Sequence, residues 1–223
     1  MLIENGASIF GFADLKNLPE GIRCGLPTGI SIGIKLEPSI ISALKDGPTN
    51  EYIEEYNRVN CLLDNLSGLC VEYLKDNGFQ AHAHSVTKSK LKGKQLSTQL
   101  PHKTVATKAG LGWIGKCALL VTKEFGSAIR LTTVLTDANL PVADSVEKSL
   151  CGDCVECVKY CPGSAPTGNN WQVGMIREEF FDANACYLQT RKWMKERKLN
   201  KHICGICIAV CPWTEEYLNK NML

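Results

Sequence analysis

Four cysteines within twelve residues constrain this chain more than any other feature. The segment CGDCVECVKYCP at 151–162 spaces its cysteines by two, two and three residues and places a proline after the last one. Thiols clustered this tightly in a reducing compartment are typical metal ligands. The segment therefore predicts that part of the chain folds around a metal centre.

A second segment, CGICIAVCPW at 204–213, repeats the cysteine–proline ending. A C-x2-C-x2-C run places three thiolates on three corners of a [4Fe–4S] cluster and turns backbone N–H groups toward the sulfurs. In ferredoxins with two clusters, the fourth cysteine of the run ligates the other cluster. We therefore predict crossed ligand sets. The first is Cys151, Cys154, Cys157 and Cys211, and the second is Cys161, Cys186, Cys204 and Cys207.

Two four-cysteine zinc sites are the alternative, because C-x2-C pairs also bind zinc. A zinc ribbon has no use for a third cysteine in the run or for the cysteine–proline pair, so the spacing favours iron–sulfur clusters. Four other cysteines are scattered, and we predict that they are small buried apolar residues. They are Cys24, Cys61, Cys70 and Cys117.

The composition narrows the possible partners and locations. The 223 residues carry a net charge of +2, which points to neither nucleic acid nor a membrane surface. No apolar run approaches the roughly 20 residues of a membrane helix, and the first residues lack the features of a signal peptide. We expect a cytoplasmic protein without a membrane partner.

Periodicity predicts an α+β protein with two domains. The longest helix is predicted from Asn50 to Asn77, where apolar residues recur every three or four positions. A segment of weak periodicity at 138–150 separates an α/β domain, residues 1–145, from a ferredoxin-like domain with two [4Fe–4S] clusters, residues 146–223. Strands are predicted at 9–15, 29–36, 78–86, 117–122 and 128–136, shorter helices at 38–47 and 101–110, and a basic surface loop at 89–95.

Three glycines in KAGLGWIGK, residues 108–116, predict a loop whose backbone approaches a ligand closely. The segment matches neither the P-loop nor the dinucleotide-binding fingerprint. A tight structural turn is the alternative. Because a small ferredoxin-like domain only carries electrons, we expect the preceding residues to use them.

Five segments, in this order, resemble the epoxyqueuosine reductases, which are relatives of the reductive dehalogenases. They are HKTVATKAGLGWIGK, GSAIRLTTVLTD, CGDCVECVKYCPGSAPTG, DANACYL and CGICIAVCPW. The resemblance covers roughly residues 95 to 215. It implies a corrinoid (cobalamin) in a nitroreductase-like N-terminal α/β domain, reduced through the two clusters. The implied corrinoid neighbours are Gly112, Trp113, Gly115, Lys116, Ser127 and Arg130.

Two departures from this family bear on the activity. Thr98 stands where the family carries its acidic proton donor, and a threonine cannot replace a carboxylic acid. His102 is the candidate to donate the proton instead, and the alternative is an ordinary histidine on the surface or in the first turn of a helix. The chain ends 12 residues after Cys211, without the family's helical-repeat domain, so we expect no tRNA substrate.

We predict an oxidoreductase that receives electrons from a low-potential ferredoxin or flavodoxin and delivers them to a corrinoid for reduction of a substrate. The alternative is an electron-transfer protein that reduces the cofactor of a partner redox protein, which needs no proton donor. A flavin or nicotinamide enzyme on the nitroreductase-like domain is a third possibility.

Overall fold

The computed structural model describes residues 1–84, 96 and 98–221. By compactness the chain divides into two units of three stretches each. The sheet unit comprises residues 1–34, 59–112 and 130–146, and the cysteine unit comprises residues 35–58, 113–129 and 147–223. The later boundary lies next to the predicted one at 145/146. Two earlier stretches nevertheless group with the C-terminal residues, so the compact units differ from the predicted domains.

The elements show a mixed α and β protein, as predicted. The strands are β1 (Ile9–Asp14), β2 (Thr28–Lys35), β3 (Ala81–His84), β4 (Trp113–Ile114), β5 (Leu120–Val121) and β6 (Ile129–Thr136). The helices are α1 (Pro38–Ser42), α2 (Asn50–Asp76), α3 (His102–Lys108), α4 (Glu156–Lys159), α5 (Ala183–Glu196), α6 (Ile206–Ala209) and α7 (Pro212–Asn221), with 3-10 turns at Ala43–Asp46 and Arg177–Glu179.

The strand predicted over 117–122 is much shorter than expected. Leu120–Val121 pairs with Trp113–Ile114, and Thr122 forms an isolated bridge to Gly126, because a tight turn joins β4 to β5. In that turn the Ala118 N–H donates to the Gly115 carbonyl at 2.8 Å, and Ala118 has φ +59°. The predicted strand 78–86 is described as far as His84, and the predicted basic loop 89–95 lies outside the described residues.

The sheet unit is built on a four-stranded sheet in the order β1–β2–β6–β3. β1 is antiparallel to β2, and β3 is antiparallel to β6. α3 packs against β1, and the core includes Ala13, Leu15, Leu26, Leu100, Val105, Ala109 and Leu135. In the part of the chain that the structure describes, no helix is both long and apolar enough to span a bilayer.

The cysteine unit places most of its ligand candidates in or beside short helices. Cys157 lies in α4, Cys186 in α5 and Cys207 in α6, while Cys211 immediately precedes α7. α6 packs against α4 and against the 3-10 turn at Ala43–Asp46. Tyr217 of α7 is buried and donates its hydroxyl to the Leu36 carbonyl at 2.8 Å. These contacts hold α4, α6 and α7 within one compact unit.

Candidate metal centre

Six thiols surround one cavity of about 80 Å³ in the cysteine unit. They belong to Cys117, Cys151, Cys154, Cys157, Cys207 and Cys211. Val121, Pro212 and Trp213 complete the wall with largely apolar side chains. The first three cysteines of the 151–162 segment thus meet Cys211, although Cys211 belongs to the other cysteine segment.

A second group of thiols forms around Cys186. Burial, followed by the nearby Cys204 and Cys161 thiols, raises the pKa of Cys186 to about 11. Burial also raises the pKa of Cys204, and the Cys161 thiol adds to that rise. The segment that follows Cys161 also packs against α5 next to Cys186, because a Cβ atom at Gly163 would lie 3.0 Å from the Ala185 carbonyl. Cys207 lines the first cavity, although the crossed prediction assigns it to this second group.

The start of α7 explains why proline follows Cys211. Proline suits the first helical position because its missing N–H is not needed there. The next N–H groups of the helix have no intrahelical partner. Burial raises the pKa of Cys211, and the backbone N–H groups of Thr214 and Trp213, which face the sulfur, lower it. The Ala165 N–H similarly donates to Cys161 Sγ at 3.4 Å.

Two indole rings bring further N–H groups to the thiols. Trp113 Nε1 donates to Cys151 Sγ at 3.4 Å. Trp193 lies beside Cys204: burial raises the pKa of Cys204, and the indole N–H lowers it. The buried Trp193 Nε1 has no acceptor within hydrogen-bonding geometry among the described residues. A buried donor without an acceptor is costly, so this N–H suits the sulfur atoms of a bound cluster.

The thiols line a cavity and do not converge on a single position. Within residues 1–84, 96 and 98–221, no three His, Cys, Asp or Glu side chains converge where a single metal ion could bind. In a [4Fe–4S] cluster each cysteine binds its own iron, so the ligands surround the whole cluster. The donor set, the cavity with its largely apolar wall and the N–H groups fit an iron–sulfur cluster.

The glycine-rich loop forms part of the cavity wall. A Cβ atom at Gly115 would lie 2.8 Å from Val121 Cγ2, 3.5 Å from Cys117 Sγ and 3.6 Å from Cys151 Sγ. Only glycine therefore allows this approach without displacing a neighbour. Lys116 is buried and donates its ammonium to the Gly152 carbonyl at 2.9 Å, which ties the loop to the first cysteine segment.

The six residues predicted to contact a corrinoid separate into different surroundings. Trp113, Gly115 and Lys116 contact the cavity or the segment that begins at Cys151. The buried Ser127 N–H donates to Thr214 Oγ1 at 3.0 Å. In the sheet unit, Arg130 Nε donates to Asn60 Oδ1 at 2.7 Å, and Gly112 is buried. The structure therefore brings three of the six together.

The candidate proton donor lies in the sheet unit. His102 Nδ1 is 2.9 Å from Thr133 Oγ1. Its ring meets the His84 ring edge-on, with centroids 5.3 Å apart, and His84 Nε2 donates to the Leu100 carbonyl at 2.8 Å. His102 is half-buried and is the first residue of α3, so it is a first-turn histidine, whereas Thr98 is exposed.

Sequence reasoning missed the position of Cys117. Its burial is as predicted, with 5% exposed, but its thiol lines the cavity, and its place directly after Lys116 was the available signal. Cys70 is also buried, whereas Cys24 and Cys61 are exposed, so the prediction of burial is wrong for those two. Cys24 lies in a turn at φ +54°, and Cys61 faces away from the buried stripe of α2.

Curated relatives confirm the resemblance that the motifs predict. The epoxyqueuosine reductase of Synechococcus sp. (strain RCC307) is 35% identical over 132 residues, which cover 56% of this chain and 38% of the relative. The epoxyqueuosine reductase of Prochlorococcus marinus (strain NATL2A) is 28% identical over 168 residues, which cover 63% of this chain and 50% of the relative. The chain thus spans at most about half the length of these relatives. No protein-family model matches it.

Solved structures show that the fold is similar as well. A catabolic reductive dehalogenase in complex with 3-bromo-4-hydroxybenzoic acid matches with a TM-score of 0.70 and 17% identity, covering 94% of this chain and 30% of that one. An epoxyqueuosine reductase with an epoxyqueuosine-modified tRNA-Tyr stem loop matches with a TM-score of 0.61 and 17% identity. That match covers 96% of this chain and 63% of the other. The epoxyqueuosine reductase from Streptococcus thermophilus matches with a TM-score of 0.56 and 21% identity, over 96% of this chain and 64% of the other. At these identities the likeness concerns the fold.

Proposed function

We propose that this protein is an iron–sulfur oxidoreductase whose ferredoxin-like part carries electrons to a corrinoid, or another cofactor, in a nitroreductase-like N-terminal part. There the electrons reduce a substrate. The observation that carries the proposal is the cavity where Cys151, Cys154 and Cys157 meet Cys211. A low-potential ferredoxin or flavodoxin in the cytoplasm is the proposed electron source.

The residues around the cavity suit the first cluster. The four thiols would each bind one iron, and Val121, Pro212 and Trp213 would limit the access of water. The N–H groups of Trp113, Trp213 and Thr214 face two of the ligand sulfurs, where they would stabilise negative charge. When bound, such clusters supply one-electron transfer.

The second cluster would be held by Cys161, Cys186, Cys204 and Cys207. The Cys204 and Cys161 thiols add to the raised pKa of Cys186, after burial, which supports their proximity to it. The buried Trp193 N–H would find its acceptor among the sulfurs of this cluster. Asp182 caps α5 by accepting the N–H groups of Asn184 and Ala185 at 2.8 and 3.0 Å, which fixes the turn that carries Cys186.

The corrinoid rests on the resemblance to the relatives, and its proposed neighbours are the six residues named above. When bound, a corrinoid supplies a strongly reducing cobalt ion. His102 is the proposed proton donor, oriented by Thr133 through its Nδ1 atom. The tRNA substrate of the relatives is not part of the proposal.

Anaerobic reconstitution tests both parts of the proposal. The loaded protein should contain about eight iron atoms and eight sulfides per chain. Added cobalamin should bind, change to the base-off spectrum and be reduced in place by a low-potential donor. A colourless protein, or one that binds zinc instead, would refute the clusters. Intact clusters that reduce a partner redox protein, in a chain that never binds cobalamin, would favour the electron-transfer alternative.

A further inference from the structure

Positive charge is concentrated in one short segment of the cysteine unit. Six of the eleven residues from 191 to 201 are lysine or arginine, and one is acidic. The segment comprises the end of α5 and the residues that lead toward Cys204. It carries more positive charge than the whole chain, whose net charge is +2, so the remaining residues are slightly acidic in sum.

Two of these cations anchor the segment within its own unit. Arg197 donates to the Pro48 carbonyl at 3.2 Å, and its guanidinium lies over the Trp193 ring, 4.5 Å from the centroid. Lys201 donates its ammonium to Asn57 Oδ1. These contacts hold the end of α5 in place, so the remaining cations are presented on a fixed surface.

The other four cations are exposed, and they are Arg191, Lys192, Lys195 and Lys198. Within the described part of the chain, Lys192 alone of the four has an acidic partner, Glu196, whose Oε1 lies 3.8 Å from Lys192 Nζ. Both side chains of that pair are largely exposed, so the pair adds little stability. The positive charge of all four is therefore available to a partner.

The two faces of α5 differ in what they carry. Cys186 and Thr190 lie four positions apart on the face that is turned toward the interior, where Thr190 is buried. The opposite face, which we call the basic face of α5, consists of Leu188, Arg191, Lys192 and Lys195. Leu188 is 61% exposed, so this face combines positive charge with an apolar contact.

Segments that carry other proposed ligands of the second cluster border the basic face. A Cβ atom at Gly163 would lie 3.0 Å from Gln189 Cβ, so the segment after Cys161 runs along one side of α5. On another side, the ring of His202, shortly before a further ligand candidate, packs against the Tyr187 ring with centroids 5.4 Å apart. The basic face is thus the solvent side of the proposed second centre.

We propose that the basic face of α5, together with Lys198, is the docking surface for a small acidic electron-carrier protein. The inference rests on the proposed function and names the surface that the proposed electron donor uses. An α-helix is about 10–12 Å across with its side chains, so one helix separates a docked carrier from the side of α5 that bears Cys186. One electron passes from the reduced carrier to the chain, and no atom is transferred.

The composition of the basic face favours a protein partner over a nucleic acid. Protein interfaces are enriched in arginine and aromatic residues around an apolar centre, and Arg191 lies over the Tyr187 ring, 5.9 Å from its centroid, close to Leu188. The three cations on the helix span only about 6 Å of its axis, whereas nucleic-acid binding uses many phosphate contacts along a backbone. Complementary charge on a small acidic protein speeds its association with such a patch.

Binding of a purified acidic flavodoxin to the anaerobically reconstituted full chain tests the inference. The Kd from isothermal titration calorimetry should rise steeply between about 0.1 M and about 1 M salt, where the Debye length falls from about 10 Å to about 3 Å. Lys192→Glu/Lys195→Glu should weaken binding at the lower salt concentration about tenfold or more and remove most of the salt dependence. The rate at which the chain oxidises reduced flavodoxin in stopped-flow mixing should fall in parallel.

Controls separate the docking surface from general effects of charge and folding. Lys16→Glu/Lys75→Glu reverses two exposed lysines of the sheet unit and should leave the Kd close to that of wild type. Leu188→Ala should weaken binding at both salt concentrations, because it removes an apolar contact. Iron content and EPR spectra of all these variants should match wild type, because the changed side chains face away from the thiols.

The outcomes distinguish this inference from the proposed function. A wild-type chain without clusters would overturn the proposed function. A loaded wild-type chain that does not bind flavodoxin, or a Lys192→Glu/Lys195→Glu variant that binds and accepts electrons as well as wild type, would overturn only the docking surface. Binding of bulk tRNA that is lost in this variant, while flavodoxin binding is kept, would assign the basic face to nucleic acid instead.

Discussion

Hydrogen-bond donors surround the cysteine sulfurs that are proposed to bind iron. Cys151 accepts an indole N–H, Cys161 accepts a backbone N–H, and Cys211 faces two backbone N–H groups. Reduction adds negative charge to a cluster, so each donor stabilises the reduced form and raises the potential. The residues next to the ligands should therefore set the potentials as much as the ligands themselves do.

The two indoles should act on different clusters. Trp113→Phe removes the donor to Cys151 but keeps a ring against Trp213, and it should make the potential of the first cluster more negative. Trp193→Phe removes the donor beside Cys204 and should lower only the second potential. EPR-monitored titration of the two variants checks this pair, each serving as the control for the other. Equal shifts of both clusters in either variant would contradict the assignment.

Gly115 should be required for the shape of the cavity. Gly115→Ala places a Cβ atom 2.8 Å from Val121 Cγ2, and overpacking of this kind costs about 1–3 kcal/mol. We expect a lower free energy of unfolding in urea for the apo-protein and reduced iron content after reconstitution. Gly21→Ala is the control, because its added Cβ atom meets nothing within 4 Å. If the Gly115→Ala variant were as stable and bound as much iron as wild type, the residues around Gly115 would be able to move aside without cost, and the prediction would be wrong.

The first turn of α7 joins Cys211, a proposed ligand, to the connection between β5 and β6. Thr214 is fully buried in that turn, and its Oγ1 accepts the Ser127 N–H at 3.0 Å. A Cβ atom at Gly126 would lie only 2.2 Å from the Thr214 nitrogen, so the two segments are in direct contact. The position of Cys211 therefore depends on this turn.

Thr214→Val should destabilise the apo-protein, because it leaves the buried Ser127 N–H without its acceptor. Such a loss costs about 1–3 kcal/mol, measured as the change in the free energy of unfolding in urea. Thr214→Ser retains the hydroxyl and is the matched control. If valine were tolerated better than serine, the hydroxyl would not be what holds the turn.

Local pattern predicts most elements but not the turn that carries Cys117. α2 begins at the predicted residue, and Val59, Leu63, Leu66, Cys70 and Leu74 of its apolar stripe are buried, because helical periodicity alone decides that face. The run CALLVT has the composition of a strand, yet Ala118 adopts φ +59° and closes a turn. A left-handed alanine leaves no sequence signal, so the turn could not be predicted, and only the place of Cys117 directly after Lys116 pointed to the cavity.

At the scale of the whole molecule, the cysteine spacing identified the ligand candidates, but the sequence did not show which segments would form the surrounding wall. Residues 35–58 and 113–129 belong to the cysteine unit although they precede every cysteine of the two segments. Long-range packing of this kind leaves no periodic pattern in a single sequence. The resemblance to known reductases placed residues such as Trp113 and Lys116 near a cofactor, and the structure places them against the first cysteine segment.

The central claim is that each cluster takes one ligand from the other cysteine segment. Iron content and EPR spectra of three variants, Cys211→Ala, Cys151→Ala and Cys186→Ala, test it after anaerobic reconstitution. We predict that Cys211→Ala loses about half of its iron and that the signal of its remaining cluster matches that of Cys151→Ala. A remaining signal that matches Cys186→Ala instead would show that Cys211 serves the cluster of its own segment, and would contradict the account.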